Sequence, residues 1–462
     1  MSRRPLAPVE RTDPFVRKKG QSHYSHRARV LQLDVPPGDP TRAAVAAHEM
    51  SHFAIQCATP YGQFVDELTL HSNNAFYLLL GGAPSKLLVP LYDLVALSIE
   101  QPAEFRGRYP DVDIGPQGEE LVRAWADATL LERVLEGEDL PSVRGTQQEL
   151  AVELLEEIES RLFNIVGRPM HTLPKLGPTM AGHPSYPSGG LTDEYVDKPI
   201  GAHHVIEGLA QALEPGAHFR MAADSRTPHP YISLWIIACN AFGIERIDSA
   251  ESMQTVHKTF MALCDLALFT PVGVTYGPLR QPSISWQDIQ PGFRFLTALY
   301  KVAEADLWID SLTEVGELQA DVSQALGWPL PSSFLEIGSA LSEPLYKRHR
   351  DACVIRMQDY TAFLDPSASV SFERYFLKHS PILRLGDRTS IDPERGLSLL
   401  GDYLHAHLIW EVMLGKVRNP VDLLPPHADY PSLFKNIPNA RAFYEFIVQC
   451  IPMLNLERFG PM

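Results

Sequence analysis

Apolar and polar positions alternate most clearly near the N-terminus. In Val30–Val35, Leu31, Leu33 and Val35 share one face and Gln32 and Asp34 the other, the period of two that marks a strand. Pro36, Pro37 and Gly38 end it. Asp39 suits an N-cap and Pro40 a first helical position, so the pattern predicts a helix over 40–58, stopped by Thr59-Pro60-Tyr61-Gly62. Phe64–Leu80 fits one or two short strands. From about 84 the period becomes helical, and Thr146-Gln147-Gln148-Glu149 is a capping box opening a helix to about Val166. Further helices are expected near 200–213, 229–243, 249–270, 286–310, 344–363, 393–416 and 438–450. Gly167–Gly201 breaks the pattern. Its prolines (169, 174, 178, 184, 187, 199) and missing period point to a lid or substrate-binding loop, or to a concealed element.

The expected fold class is therefore α+β, mainly α, with a small N-terminal β-sheet and a large helical remainder. Residues 1–27, charged and proline-containing, form an N-terminal arm. Residues 28–270 form one domain and 271–462 a helical C-terminal region, with the Pro/Gly-rich stretch 271–291 as the boundary.

Composition narrows the function. The net charge of −16 lacks the basic footprint that phosphate binding needs, so nucleic acid is not an expected partner. Cys57, Cys239, Cys264, Cys353 and Cys450 are odd in number and contain no CxxC pair, which suits a reducing cytoplasm better than a disulfide framework or a zinc finger. Met1–Gly20 has no apolar signal-peptide core. Phe76–Ile99 is interrupted by Lys86 and Asp93, and Ile232–Ile244 is too short for a span, so no membrane association is expected.

The chemistry lies in His48-Glu49-Met50-Ser51-His52, an HExxH sequence on the expected 40–58 helix. A spacing of four puts both imidazoles on one face, one turn apart, where they can reach a single ion. Glu49 is offset by about 100° and can reach a water on that ion, acting as general base. Chance supplies roughly 0.04 such motifs in a chain of this composition. A surface turn with two incidental histidines is the plain alternative.

Strand, Pro turn, capped Ala-rich helix and motif together resemble the zincin metallopeptidases, whose HExxH lies on the active-site helix. The resemblance implies a Zn²⁺ cofactor, a peptide or protein substrate, and a third protein ligand. The metzincin branch is excluded, because Ile55 and Ala58 stand where its glycine and third histidine belong. The gluzincin branch implies a glutamate on a later helix, and Glu207 is the candidate. Ala202, Gly208, Ala210 and Ala212 around it would let that helix approach the first. Gln211 stands where the branch's ExxxD pattern has its aspartate. A solvated Glu207, or His203, His204 or His71 as the third ligand, remain alternatives.

Gln56, one turn beyond His52, is a candidate partner of the ligands. His203, His204, Tyr195 and Tyr186 are candidates for transition-state stabilisation. His405 and His407, two apart on a helix, face different sides, and Arg294 reads as an ordinary surface charge. A di-iron bundle would need a second ExxH besides Glu49–His52. The expected function is a zinc-dependent peptidase, held in check by a covering segment or a regulatory protein partner. The competing expectation is an inactive zincin-like scaffold acting through its helical surface.

Overall fold

The computed structural model describes residues 22–25, 30–65, 101–110, 114–137, 185–187, 197–214, 230–243, 249–270, 286–309, 314–331, 382–385 and 388–391, apart from single positions within some of these ranges and together with Glu153, Leu154, Glu157 and Ser333. Two short strands, β1 (His23–Ser25) and β2 (Val30–Leu33), precede helix α1 (Arg42–Ala58). Helices α2 (Pro102–Arg108) and α3 (Gly115–Glu136) follow, then the antiparallel pair β3 (Ser185–Pro187) and β4 (Asp197–Pro199). The remaining elements are α4 (Ala202–Ala212), α5 (Ser233–Phe242), α6 (Ala250–Ala267), α7 (Trp286–Ile289), α8 (Pro291–Ala305), α9 (Val315–Leu326), β5 (Ile382–Leu385) and β6 (Arg388–Ile391).

The expected α+β fold with a small N-terminal β-sheet is corrected. The interpretable body is helical. Its strands are three or four residues long. β1 pairs with β2, but β2 finds its other partner in β5, Val30 opposite Ile382 and Leu33 opposite Leu385. The N-terminal strands thus form no sheet of their own. A stable sheet needs three or more strands; here Pro36-Pro37-Gly38 follow β2 closely and Arg42–Ala58 goes into helix.

Several boundaries also move. α1 begins at Arg42 with Thr41 as N-cap, and the Asp39 carboxylate accepts from the Thr41 N–H (2.8 Å) and hydroxyl (2.7 Å) in the turn that leads into it. It ends where Thr59 turns extended and its Oγ1 donates to Ile55 O at 2.7 Å. Gln290 and Pro291 divide the 286–310 expectation into α7 and α8. The Gly167–Gly201 stretch contains β3 and β4, and β4 leads directly to α4. Phe64 and Val65 are helical rather than extended. The capping box at Thr146, most of Phe64–Leu80, and the helices expected at 344–363, 393–416 and 438–450 lie outside the described residues.

One apolar core joins the described helices: Ala46, Ala47 and Met50 of α1, Leu131 of α3, Val205 and Leu209 of α4, Phe260 and Leu263 of α6, and Phe295 and Leu299 of α8 belong to one buried cluster. Apolar side chains on both sides of residue 270 enter it. The seat of α4 is made by glycines. A Cβ on Gly201 would lie 2.3 Å from the Glu136 carbonyl carbon and the Gly137 nitrogen, and one on Gly292 would lie 2.3 Å from Ile200 O. Gly137 ends α3 with a left-handed φ of +82°. Gln290 locks the joint: its Nε2 donates to Ile200 O at 2.6 Å, and its Oε1 accepts from Phe293 N at 2.7 Å to cap α8.

Arg294 is not a surface charge; it is fully buried. Its guanidinium donates to Phe269 O (2.8 Å), Ala267 O (3.2 Å) and Leu266 O (3.4 Å), closing the C-terminus of α6, and it stacks 3.8 Å above the Trp328 ring. Carbonyls left open at a helix end need such donors.

Candidate metal centre

α1 carries its chemistry on the arc opposite Ala47 and Met50. With about 100° per residue, His48, His52, Gln56 and Glu49 fall within roughly 100° of one another around the helix. α4 packs across this arc and presents Glu207. His48, His52 and Glu207 can each offer a ligand atom within 4.8 Å of the others, and they form the one such group among the described residues.

The spacing is informative. His48 Nε2 lies 3.2 Å from His52 Nε2 and 3.2 Å from Glu207 Oε2, and His52 Nε2 lies 3.6 Å from Glu207 Oε1. Donors held about 2.0–2.1 Å from a tetrahedral Zn²⁺ are roughly 3.3 Å apart. Glu207 Oε2 is buried and accepts no hydrogen bond despite that short contact. Orphaned buried acceptors are costly unless something else satisfies them. The donors therefore fit one zinc ion.

Glu214 completes the shell. Its Oε1 lies 3.2 Å from His48 Nδ1, the nitrogen turned away from the triad. The contact is at ion-pair distance without hydrogen-bond alignment, and a carboxylate there favours a proton on Nδ1 and raises the basicity of Nε2. Glu207 and Glu214, as carboxylates, bring two negative charges to neutral imidazoles, equal and opposite to one Zn²⁺.

Titration reflects the same demand for a cation. Burial pulls His48 down, yet its contacts with Glu207 and Glu214 outweigh this and hold it at about 10. Burial pushes Glu207 up, but His52 and His48 outweigh it and bring the carboxyl to about 2. A proton on His48 thus does in the metal-free site what a cation does in the loaded one. Glu49 differs. Burial dominates and raises it to about 7, a range suited to proton transfer.

The other expected residues separate. His203 is half-exposed, its Nδ1 3.8 Å from Glu207 Oε1, and stands at the rim. His204 is buried and structural, with Nδ1 accepting from the Gly201 N–H at 3.2 Å to cap α4. It is therefore not turned to the triad. Gln56 is buried and accepts from the Tyr24 hydroxyl through Oε1. Gln211 is buried one turn beyond Glu207; the acid at His48 is supplied by Glu214 instead. Gly208 makes room for Phe260 of α6, whose Cζ would lie 3.3 Å from an added Cβ. His71, Tyr195, His405 and His407 lie outside the described residues, as do the side chains of Tyr186 and Cys57.

Three neighbours carried no signal in the sequence pattern. Glu214 lies seven positions after Glu207 and just past the end of α4, where no helical period marks it. Tyr231 packs its ring against His48, with centroids 6.1 Å apart, from the turn before α5. The main-chain N–H of Tyr24 in β1 faces the Glu49 carboxylate and favours its charged form. No protein-family model, curated protein or solved structure matches this chain. No described helix is long and apolar enough to cross a membrane.

Proposed function

We propose that this protein is a zinc-dependent peptidase that hydrolyses peptide bonds in a peptide or protein substrate, with a gluzincin-like ligand set. The observation that carries the reading is the convergence of His48, His52 and Glu207 beside Glu49. Three donors rather than four, among the described residues, is the count of catalytic rather than structural zinc sites.

His48, His52 and Glu207 would hold the ion, and Glu214 would orient His48. Bound Zn²⁺ supplies an acidified water, with a pKa near 7, and polarises a carbonyl. Glu49 takes the proton of the attacking water on its carboxylate and delivers it to the nitrogen of the departing amine. Its raised pKa suits both halves of that transfer. His203, exposed beside Glu207, would donate to the substrate.

Elemental mass spectrometry of the purified chain is the test, with peptide hydrolysis measured alongside. About one zinc per chain is expected, lost in His48→Ala/His52→Ala and reduced in Glu207→Ala. Glu49→Gln should keep the zinc and lose hydrolysis. A wild-type chain that takes up no zinc overturns the reading and leaves a degenerate scaffold that acts through its helical surface.

A further inference from the structure

Among the described residues, β1 is the edge strand of its sheet and pairs with β2. The edge strand lies against α1, and Tyr24 touches the helix twice. Its main-chain N–H faces the Glu49 carboxylate, and its side-chain hydroxyl donates to Gln56 Oε1. Glu49 and Gln56 are seven residues apart, hence about 10 Å along the axis and only about 20° apart around it. They share the flank of the helix beside the imidazoles. Both are buried.

We propose that Tyr24 is a positioning residue for Glu49, fastening β1 to α1 so that one carboxylate oxygen is held and the other is left for proton transfer. This rests on the reading of Glu49 as general base. A buried carboxylate on a helix has several rotamers, and a general base works only within hydrogen-bond reach of its proton. The Tyr24 N–H selects one of these rotamers. The bond to Gln56 keeps the strand from sliding along the helix, and the register of Tyr24 opposite Leu31 ties the strand to β2. The otherwise open strand edge is closed at Tyr24 by the helix-borne carboxylate.

The full-length, zinc-loaded chain tests this. Tyr24→Phe and Gln56→Met break one bond from its two ends and leave the Tyr24 N–H in place. Each should lower kcat about 10-fold with KM and zinc content unchanged, and the double variant should be no worse than either single. In the metal-free chain, Glu49→Ala should speed hydrogen exchange of the Tyr24 amide about 10-fold or more, while amides of β2 keep their rates. Wild-type kcat in both single variants, additive losses in the double, or an unchanged Tyr24 amide would overturn the fastening while Glu49 stands as base. Hydrolysis surviving Glu49→Gln, or absent from wild type, overturns the general-base reading, and the positioning role with it.

Discussion

Glu214 Oε1 stands 3.2 Å from His48 Nδ1, on the opposite side of the ring from Glu207 Oε2, which is 3.2 Å from Nε2. His48 is thereby held between two carboxylates, the half-buried Glu207 of α4 and the buried Glu214 just beyond the end of that helix. Only the Glu207 side faces His52.

On the proposed zinc reading, that arrangement would make Glu214 a determinant of metal affinity without being a ligand. Glu214→Gln should weaken zinc binding about 10–100-fold, read by competition with a chelator. Gln211→Ala should change it far less. Equal losses in both would remove the special role of Glu214.

Glu49 carries a stability signature. Its folded pKa of about 7 exceeds the ordinary 4.5, so the unfolded chain ionises first. Above pH 4.5 this group therefore works against folding; the penalty grows to pH 7 and then stays constant. Glu49→Gln should raise the stability of the metal-free protein at pH 8 by about 1–3 kcal/mol and leave it nearly unchanged at pH 4. Urea midpoints at the two pH values test this. A variant that gains equally at both would exclude ionisation as the cause.

His48 works in the other direction. Its folded pKa lies above 6.5, so its contribution to the metal-free protein is full below pH 6.5 and disappears as pH rises through about 10. A zinc ion bound as proposed would displace this proton. Binding at pH 7 should release it, which calorimetry in buffers of different ionisation enthalpy would detect as a buffer-dependent heat.

Arg294→Met should destabilise the fold by at least about 3 kcal/mol, because several carbonyls at the end of α6 lose their donor together. A denaturation midpoint close to wild type would show that water replaces the guanidinium.

What the sequence revealed, and what it hid, follows from distance along the chain. His48 and His52 obey a local period, so their convergence was legible. Glu207 is more than 150 residues away, and the resemblance alone pointed to it. Arg294 looked like a surface charge because its partners, Leu266, Ala267 and Phe269, are carbonyls that any residue could supply. The alternation of Val30–Val35 was real, but no local pattern could tell that β2 would pair with 382–385 rather than with a neighbour. Asp39 accepts the Thr41 N–H as a cap would, but the chain makes a turn there and the helix begins at Arg42.

The glycine joint beneath α4 sets an order of assembly. Glu136-Gly137, Ile200-Gly201 and Gln290-Gly292 meet through main-chain contacts that tolerate no side chain. Until residue 292 has been synthesised and has left the ribosome, Ile200 lacks its Gln290 lock, and the helix bearing Glu207 and leading to Glu214 is not fully seated. The HExxH helix is made some 240 residues earlier. A nascent chain therefore passes through a long interval with both histidines made and Glu207 not yet seated beside them, so the triad is completed late in translation.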